Sequence, residues 1–354
     1  MMVFKECKTV EQAAEKNKLI CKTVSGIFPP PVELQPEKVY YPHCQFGKKK
    51  YVGLCHIPPE GPKVDSKGVE KNRLDNCPLI RKVMTRVFDM LMIENNVGGA
   101  MKYIHDSVAE LIQGKVEYAD LVITKSISKS AEEYAGKQIH LEVANRMKVR
   151  DPSYMIAPGE RIPYVIVLNG ASKKGPLCDR AEDPLWAIQH NIDIDVEYYI
   201  DKQLTNPLAR VMMWFIAPKE MLREIRTFEQ EIDKIPVKDT ARVDKMEKEL
   251  KKRMDKTMEY VGKMMFGPSA LADIRRPKQK HNGPLAAFFV RKPMKPDELE
   301  AALAPLRIKL NEQKTKCTQC RGYEDDKIAC VQRDCPTLFR MAAINRDIED
   351  LIKG

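Results

Sequence analysis

A chain of 354 residues with a formal charge of +10 and a pI of 9.0 has room for two or three domains, and its charge balance favours an anionic partner such as nucleic acid. With 43% hydrophobic residues it can bury a proper core, which excludes global disorder. No stretch approaches the ~18 apolar residues of a membrane span, and the charged N-terminus MMVFKECKTVEQAAEKNK lacks an apolar signal core, so a soluble intracellular protein without a membrane partner is expected.

Val10, Ala13, Ala14, Asn17 and Ile20 recur near a 3.6-residue period, which predicts a helix over residues 7–28 that the triple proline Pro29–Pro31 stops. The segment VELQPEKVYYPHCQFGKKKYVGLCHI alternates aromatic and β-branched residues around a Gly-Lys turn, and reads as a hairpin with Phe46-Gly47-Lys48 near its tip. Pro58 to Lys67 reads as a loop. From Asn76-Cys77-Pro78 to Glu94, the positions Leu79, Val83, Val87, Met90 and Leu91 predict an amphipathic helix started by the proline.

Residues 98–150 read as helical with an interruption near Val122–Ser128. Ile104, Val108, Leu111 and Ile112 supply one apolar face, and Ala131 to Arg150 forms a second helix closed by Asp151-Pro152. GERIPYVIVLNG holds a short strand from Ile162 to Leu168, and Asp183-Pro184 to Phe215 is mostly helical. From Pro218 to Phe266 the composition shifts to charge. One stripe runs through Leu222, Ile225, Phe228 (or Glu229) and Ile232, and another through Met246, Leu250, Met254, Met258 and Val261, with Pro236 between them. These predict an antiparallel helical hairpin with solvated outer faces. Arg275 to Asn282 reads as a basic linker, the Pro293-to-Leu310 region as one more helix, and Ala342 to Lys353 as a short terminal helix.

Four of the ten cysteines cluster as CTQCRGYEDDKIACVQRDC, giving Cys317, Cys320, Cys330 and Cys335 the spacing Cys-x2-Cys-x9-Cys-x4-Cys. A Cys-x2-Cys turn points two sulfurs at one centre, and a second pair on a returning loop completes a tetrahedron. By ligand type alone, four thiolates suit zinc and an iron–sulfur cluster equally. They leave no open coordination position, so the role is structural. Four unrelated reduced thiols are the plainer alternative, while paired disulfides fit poorly with an intracellular setting. Lys48-Lys49-Lys50-Tyr51 at the hairpin tip suits phosphates or the sugar edge of a duplex. The same lysines also serve as gatekeepers that protect strand edges. Arg275, Arg276, Lys278 and Lys280 make a second basic run, of the kind found in soluble linkers. The sequence contains no His-Glu-x-x-His pair and no Gly-rich phosphate loop.

Several strings, in order along most of the chain, resemble family B DNA polymerases of the delta type. EKVYYP (37–42) followed by KKKYVG (48–53) is similar to the palm hairpin EKVYFP…KKRYAG. DSKGVE (65–70), with Arg73, Asp75, Asn76, Cys77 and Pro78, is similar to DxKGxExxRRDNCP. LVITKSISKSAEEYAGKQIHLEVANRMKVRDP (121–152), GERIPYVI (159–166) and the series Asp183-Pro184, Tyr198-Tyr199, Gln203-Leu204, Pro207-Leu208 resemble the thumb. The cysteine quartet with Arg333-Asp334-Cys335-Pro336 resembles the second cysteine motif of that family.

The resemblance implies an α+β fold in three parts. Residues 1–94 would be the remnant of a mixed palm sheet with helices. Residues 95–310 would form a largely helical thumb, with the charged hairpin at about 218–266 as an insertion. Residues 311–354 would form a small four-cysteine metal module. It implies that Lys48, Lys49, Lys50 and Tyr51 lie along the minor groove near the primer terminus, that Lys67 and Arg73 contact DNA, and that Glu37 is the palm carboxylate near the catalytic Mg²⁺ site. Lys50 stands where the family has arginine, Leu74 replaces a second arginine, and Gln35-Pro36 replaces Glu-Phe. No Tyr-Gly-Asp-Thr-Asp-Ser string occurs in these residues, so the two aspartates that hold the Mg²⁺ pair are expected from a separate N-terminal half, encoded by a split or intein-disrupted gene. Without them the chain alone is expected to bind primer–template duplex and incorporate no nucleotide. A non-catalytic DNA-binding or scaffold remnant is the competing reading. The resemblance further implies a 4Fe-4S cluster or zinc at the quartet and an accessory B-subunit as partner. PLAAFFVRK (284–292) is similar to the segment before a first cysteine motif that these residues lack, which bears on any sliding-clamp contact. A nuclear or viral replication site, and a large DNA virus as source, complete the expectations.

Overall fold

The computed structural model describes every residue except 1, 2, 5, 48, 58–60, 128–135, 155–158, 169–175, 237–238, 268–295, 322–334 and 354. The architecture is α+β: mostly helical, with two small antiparallel sheets of three strands each.

Helix α1 (Val10–Ser25) starts where Thr9 accepts a hydrogen bond from the Gln12 amide and the Gln12 side chain accepts one from Lys8 N–H, so two orphan donors are satisfied at once. The chain then enters β1 (Val39–Gly47), β2 (Lys50–Ile57) and β3 (Gly61–Lys67), paired in that order. The third strand corrects the sequence expectation of a loop over Pro58–Lys67. It pairs with β2 over its whole length, from Ile57 opposite Gly61 to Tyr51 opposite Lys67. Glycine and proline punctuation hid it, and as an edge strand it tolerates Pro62.

One face of this sheet packs on α2 (Pro78–Met92). Pro78 opens the helix as predicted, and Leu79, Ile80, Val83, Met84, Val87, Phe88 and Leu91 are buried at helical spacing. Phe46 of β1 stacks on Phe88 with ring centroids 6.3 Å apart and planes 12° apart. Helix α3 (Val97–Ile112), capped by Asn96 accepting from Gly99 N–H at 2.8 Å, packs beside α2 through Ile104, Val108 and Leu111.

The second sheet holds β4 (Ile123–Ser126), β5 (Arg161–Ile166) and β6 (Ala181–Glu182), backed by α4 (Ile139–Arg150). The predicted helix over 131–150 thus begins at Ile139, and residues 128–135 lie outside the described set. Three short helices follow, α5 (Leu177–Arg180), α6 (Pro184–Gln189) and α7 (Val196–Tyr198). A π-helical turn (Tyr199–Thr205) then runs into α8 (Asn206–Ile216). The charged hairpin is present as α9 (Lys219–Asp233) and α10 (Thr240–Phe266), with Pro236 between them. The inner end of α10 lies on α8 and on the π-helical turn before it, where a Cβ added at Gly262 would come within 3.2 Å of Thr205 Cγ2. The main apolar core runs from Phe46 through α2, α3 and β5 to Phe266.

The last two helices differ from expectation. Helix α11 (Pro296–Arg321) continues past Leu310 through Cys317 and Cys320, so the Cys-x2-Cys element is helical and not a turn. Helix α12 (Pro336–Lys353) is longer than predicted and packs on α11, on α6 and on the 3-10 turn Tyr118–Asp120. There Phe339 is buried with Ala119, Val122, Val165, Val167 and Ala187. No helix among the described residues is long and apolar enough to cross a membrane.

Candidate nucleic-acid interface

The tip of the β1–β2 hairpin is held by an unusual backbone. Gly47 pairs with Lys50, and the turn between them puts Lys49 in the left-handed region at φ 61°. Lys49 is exposed, and Lys48 lies outside the described residues. The Lys67–Gly68 corner sits directly behind this tip. Gly68 has φ 69°, and a Cβ built on it would overlap the Lys49 carbonyl and reach within 3.2 Å of Lys50 Cγ. Only glycine allows the two backbones to approach so closely. Lys67, exposed at the end of β3, lies opposite Tyr51.

Two residues past Gly68, Glu70 begins the 3-10 turn Glu70–Asn72 and forms an ion pair with Arg210 of α8, 140 residues further along the chain. Arg73 follows that turn, exposed and 3.9 Å from Asp75. Lys50 belongs to the same cluster. Partial burial holds its amine below the usual lysine range, the positive charges of Arg210 and Arg73 lower it further, and Glu70 opposes them. The hairpin, the DSKGVE turn and helix α8 therefore converge on a partly desolvated group of cations.

The outward face of the sheet carries an aromatic cluster. Tyr51 meets Tyr40 edge-on (centroids 5.7 Å, 72°) and His43 at 5.4 Å. Tyr40 donates to Asp65 Oδ2 at 2.6 Å, and Lys38 Nζ donates to the same oxygen at 2.9 Å. These bonds hold the Asp65 carboxyl below the usual carboxylate range, Tyr40 contributing most and burial opposing them. Gly53 makes room for the rings, since a Cβ there would lie 2.9 Å from Tyr40 Cδ1.

Among the sequence-predicted residues, Lys49, Lys50, Tyr51, Lys67 and Arg73 lie on the hairpin and the turn behind it. Glu37 is exposed two residues before β1, while the carboxylate bonded within the aromatic face is Asp65. Sequence reasoning missed both Asp65 and Arg210. For Arg210 a signal existed: it is the sole charge in the apolar run Pro207–Ala217. Of the cysteines, Cys317 and Cys320 lie one turn apart on α11, Cys335 immediately precedes α12, and Cys330 lies outside the described residues. Among the described residues no group of three or more His, Cys, Asp or Glu side chains is placed to hold a metal ion.

Known proteins similar to this chain include DNA polymerase delta catalytic subunits. The family model described as DNA polymerase family B matches residues 1–214. The chain is 31% identical over 335 residues to the DNA polymerase delta catalytic subunit of Bos taurus, covering 92% of this chain and 28% of that one. It is 32% identical over 335 residues to that of Candida albicans, covering 92% and 30%. Over 212 residues it is 39% identical to that of Drosophila melanogaster, covering 60% and 19%. A solved family B DNA polymerase from Pyrobaculum calidifontis aligns over 55% of this chain and 24% of its own at 26% identity and a TM-score of 0.41. The chain spans less than a third of the length of the curated relatives it matches. The family match covers more than half of its residues, and the chain belongs to DNA polymerase family B.

Proposed function

We propose that this chain is the duplex-holding portion of a delta-type DNA-directed DNA polymerase, composed of the end of the palm and the thumb, and that it grips primer–template DNA during replication. The observation that carries the reading is the convergence of Lys49 and Lys50 on the hairpin and Arg73 on the turn behind it, beside a half-buried aromatic face. Cations on rigid strands neutralise phosphates without reading sequence, and the Tyr51 ring packs against Tyr40 and His43 on the same hairpin. A duplex phosphate offers the cluster the counter-charge that Glu70 and Asp75 supply only in part. Nucleotidyl transfer would use a Mg²⁺ pair held by aspartates outside these 354 residues. This chain's own part is to hold the primer end in register for that step.

The test is duplex binding against salt. The chain should bind primer–template with an affinity that falls steeply as salt rises, and Lys49→Ala with Arg73→Ala should flatten the log–log slope by about 0.9 for each phosphate that is no longer neutralised. Retained slope in the double variant would reject the hairpin edge as the DNA surface. Nucleotide incorporation by the pure chain would overturn the division of labour.

The quartet Cys317, Cys320, Cys330 and Cys335 is proposed as a structural metal site, zinc or 4Fe-4S. Two of its thiols share one face of α11, and a third immediately precedes the helix packed against it. When bound, the metal would cross-link these helices. Anaerobic purification with metal analysis and visible absorption tests it: bound iron with a brown chromophore selects the cluster, bound zinc selects zinc, and neither rejects the site.

A further inference from the structure

We propose that Arg210, on helix α8, is itself a phosphate ligand for the duplex, with Glu70 as the counter-ion that fixes its guanidinium at the hairpin edge. The proposal deepens the duplex-holding reading and rests on it. Three observations carry it.

First, the Arg210–Glu70 pair joins segments 140 residues apart. Glu70 stands on the turn whose Gly68 touches the hairpin tip, so Arg210 arrives next to Lys50 and Arg73 from a different part of the fold. Second, the pair is unequally buried. The Glu70 side chain is 11% exposed, whereas Arg210 keeps 24%, so part of the guanidinium faces solvent. A guanidinium carries five N–H donors in a planar fork, and the carboxylate of Glu70 engages Nη1, leaving donor capacity for a phosphate oxygen. Third, Arg210 is the one charged residue in the otherwise apolar stretch Pro207–Ala217 of α8 and its end. Val211, Met212 and Met213 beside it are buried apolar residues, and an arginine in such a helix loses conformational entropy and hydration that the one carboxylate must offset.

The chemistry that fits is a backbone phosphodiester gripped between α8 and the hairpin. Such a contact would make thumb position depend on duplex occupancy, because the same cation touches both.

Arg210→Ala, Arg210→Lys and Glu70→Gln separate this role from a purely structural one. Duplex affinity is measured as a function of salt, beside thermal stability of the same full chain. Arg210→Ala should lower duplex affinity and reduce the salt slope by about 0.9. Arg210→Lys should keep the slope, since the charge remains. Glu70→Gln should lower thermal stability yet keep the slope. If Arg210→Ala lowers stability and leaves the slope at the wild-type value, Arg210 is a structural tie and the proposal fails. Should wild-type chain show no salt-dependent duplex binding, or Lys49→Ala with Arg73→Ala change nothing, the underlying reading fails instead, and the two failures are told apart.

Discussion

The Tyr40 hydroxyl donates a 2.6 Å hydrogen bond to Asp65, and the ring that carries it packs edge-on against Tyr51. A carboxylate on β3 thereby fixes an aromatic side chain on β1, which in turn shapes the position of the tyrosine on β2.

Asp65→Ala should cost about 1.5–3 kcal/mol, the range for hydrogen bonds to a charged group, because Tyr40 and Lys38 both lose their acceptor. The pH dependence has a definite sign. The carboxyl of Asp65 is held below its ordinary value, so its contribution is full above the unfolded value of about 4 and disappears as pH falls through the folded one. Asp65→Asn should remove that dependence. Chemical denaturation of both variants between about pH 3 and 7 checks it. Identical acid limbs in wild type and Asp65→Asn would show that the group contributes nothing.

Gly68→Ala should be more harmful than a surface substitution, for two reasons acting together. The backbone there has φ 69°, which costs a side-chain residue about 1 kcal/mol, and the new Cβ would strike the Lys49 carbonyl. Relief requires the hairpin tip to move, so duplex affinity should fall along with stability. Gly61→Ala serves as the control, since φ there is 78° yet nothing lies within 4 Å of the added Cβ. Equal falls in affinity in the two variants would mean that strain alone matters and the approach to the tip does not.

What the sequence made legible follows from how local each feature is. Alternation announced β1 and β2, and the apolar period with Pro78 announced α2, because one stretch of chain holds the whole pattern. The lysine tip and the DSKGVE turn were readable as motifs. Strand β3 was not, since Gly61-Pro62 looks like a turn until β2 is present to pair with it. Arg210 and Asp65 were hidden for a related reason. Each acquires its meaning from a partner far along the chain, Glu70 and Tyr40, and no periodicity encodes such a pairing. The Cys-x2-Cys spacing misled only about the local backbone, because two thiols three residues apart fit a helix face as well as a turn.

Phe339→Ala should detach the C-terminal helices rather than unfold the whole chain. Phe339 is 1% exposed, seated in a small apolar cluster separate from the main core, and beside it Arg340 pairs with Glu117 at 2.7 Å. Emptying such a site costs about 3–5 kcal/mol. The neighbouring ion pair is surface-exposed and offsets little of that loss. Limited proteolysis should therefore cut within α11 and α12 of the variant while the segment through Phe266 stays protected. Uniform cleavage along the chain would instead show that the two clusters unfold as one unit.

Tyr199→Phe isolates a single buried hydroxyl. Tyr199 opens the π-helical turn before α8 and is fully buried, and its hydroxyl donates to Leu121 carbonyl at 2.8 Å while accepting from Ile166 N–H at 3.2 Å. One oxygen thus ties the β4 approach, strand β5 and the helix that carries Arg210. Replacement by phenylalanine keeps the ring's volume but orphans a buried carbonyl and a buried amide, which costs about 1–3 kcal/mol for each group that water fails to reach. Because α8 is anchored through this turn, the variant should also weaken duplex binding without changing the salt slope, as the cations themselves remain. Denaturant titration and the salt-dependent binding curve read the two effects separately. A reduced slope in Tyr199→Phe would mean that the turn sets the position of Arg210, and an unchanged affinity would mean that α8 is held in place by its apolar packing alone.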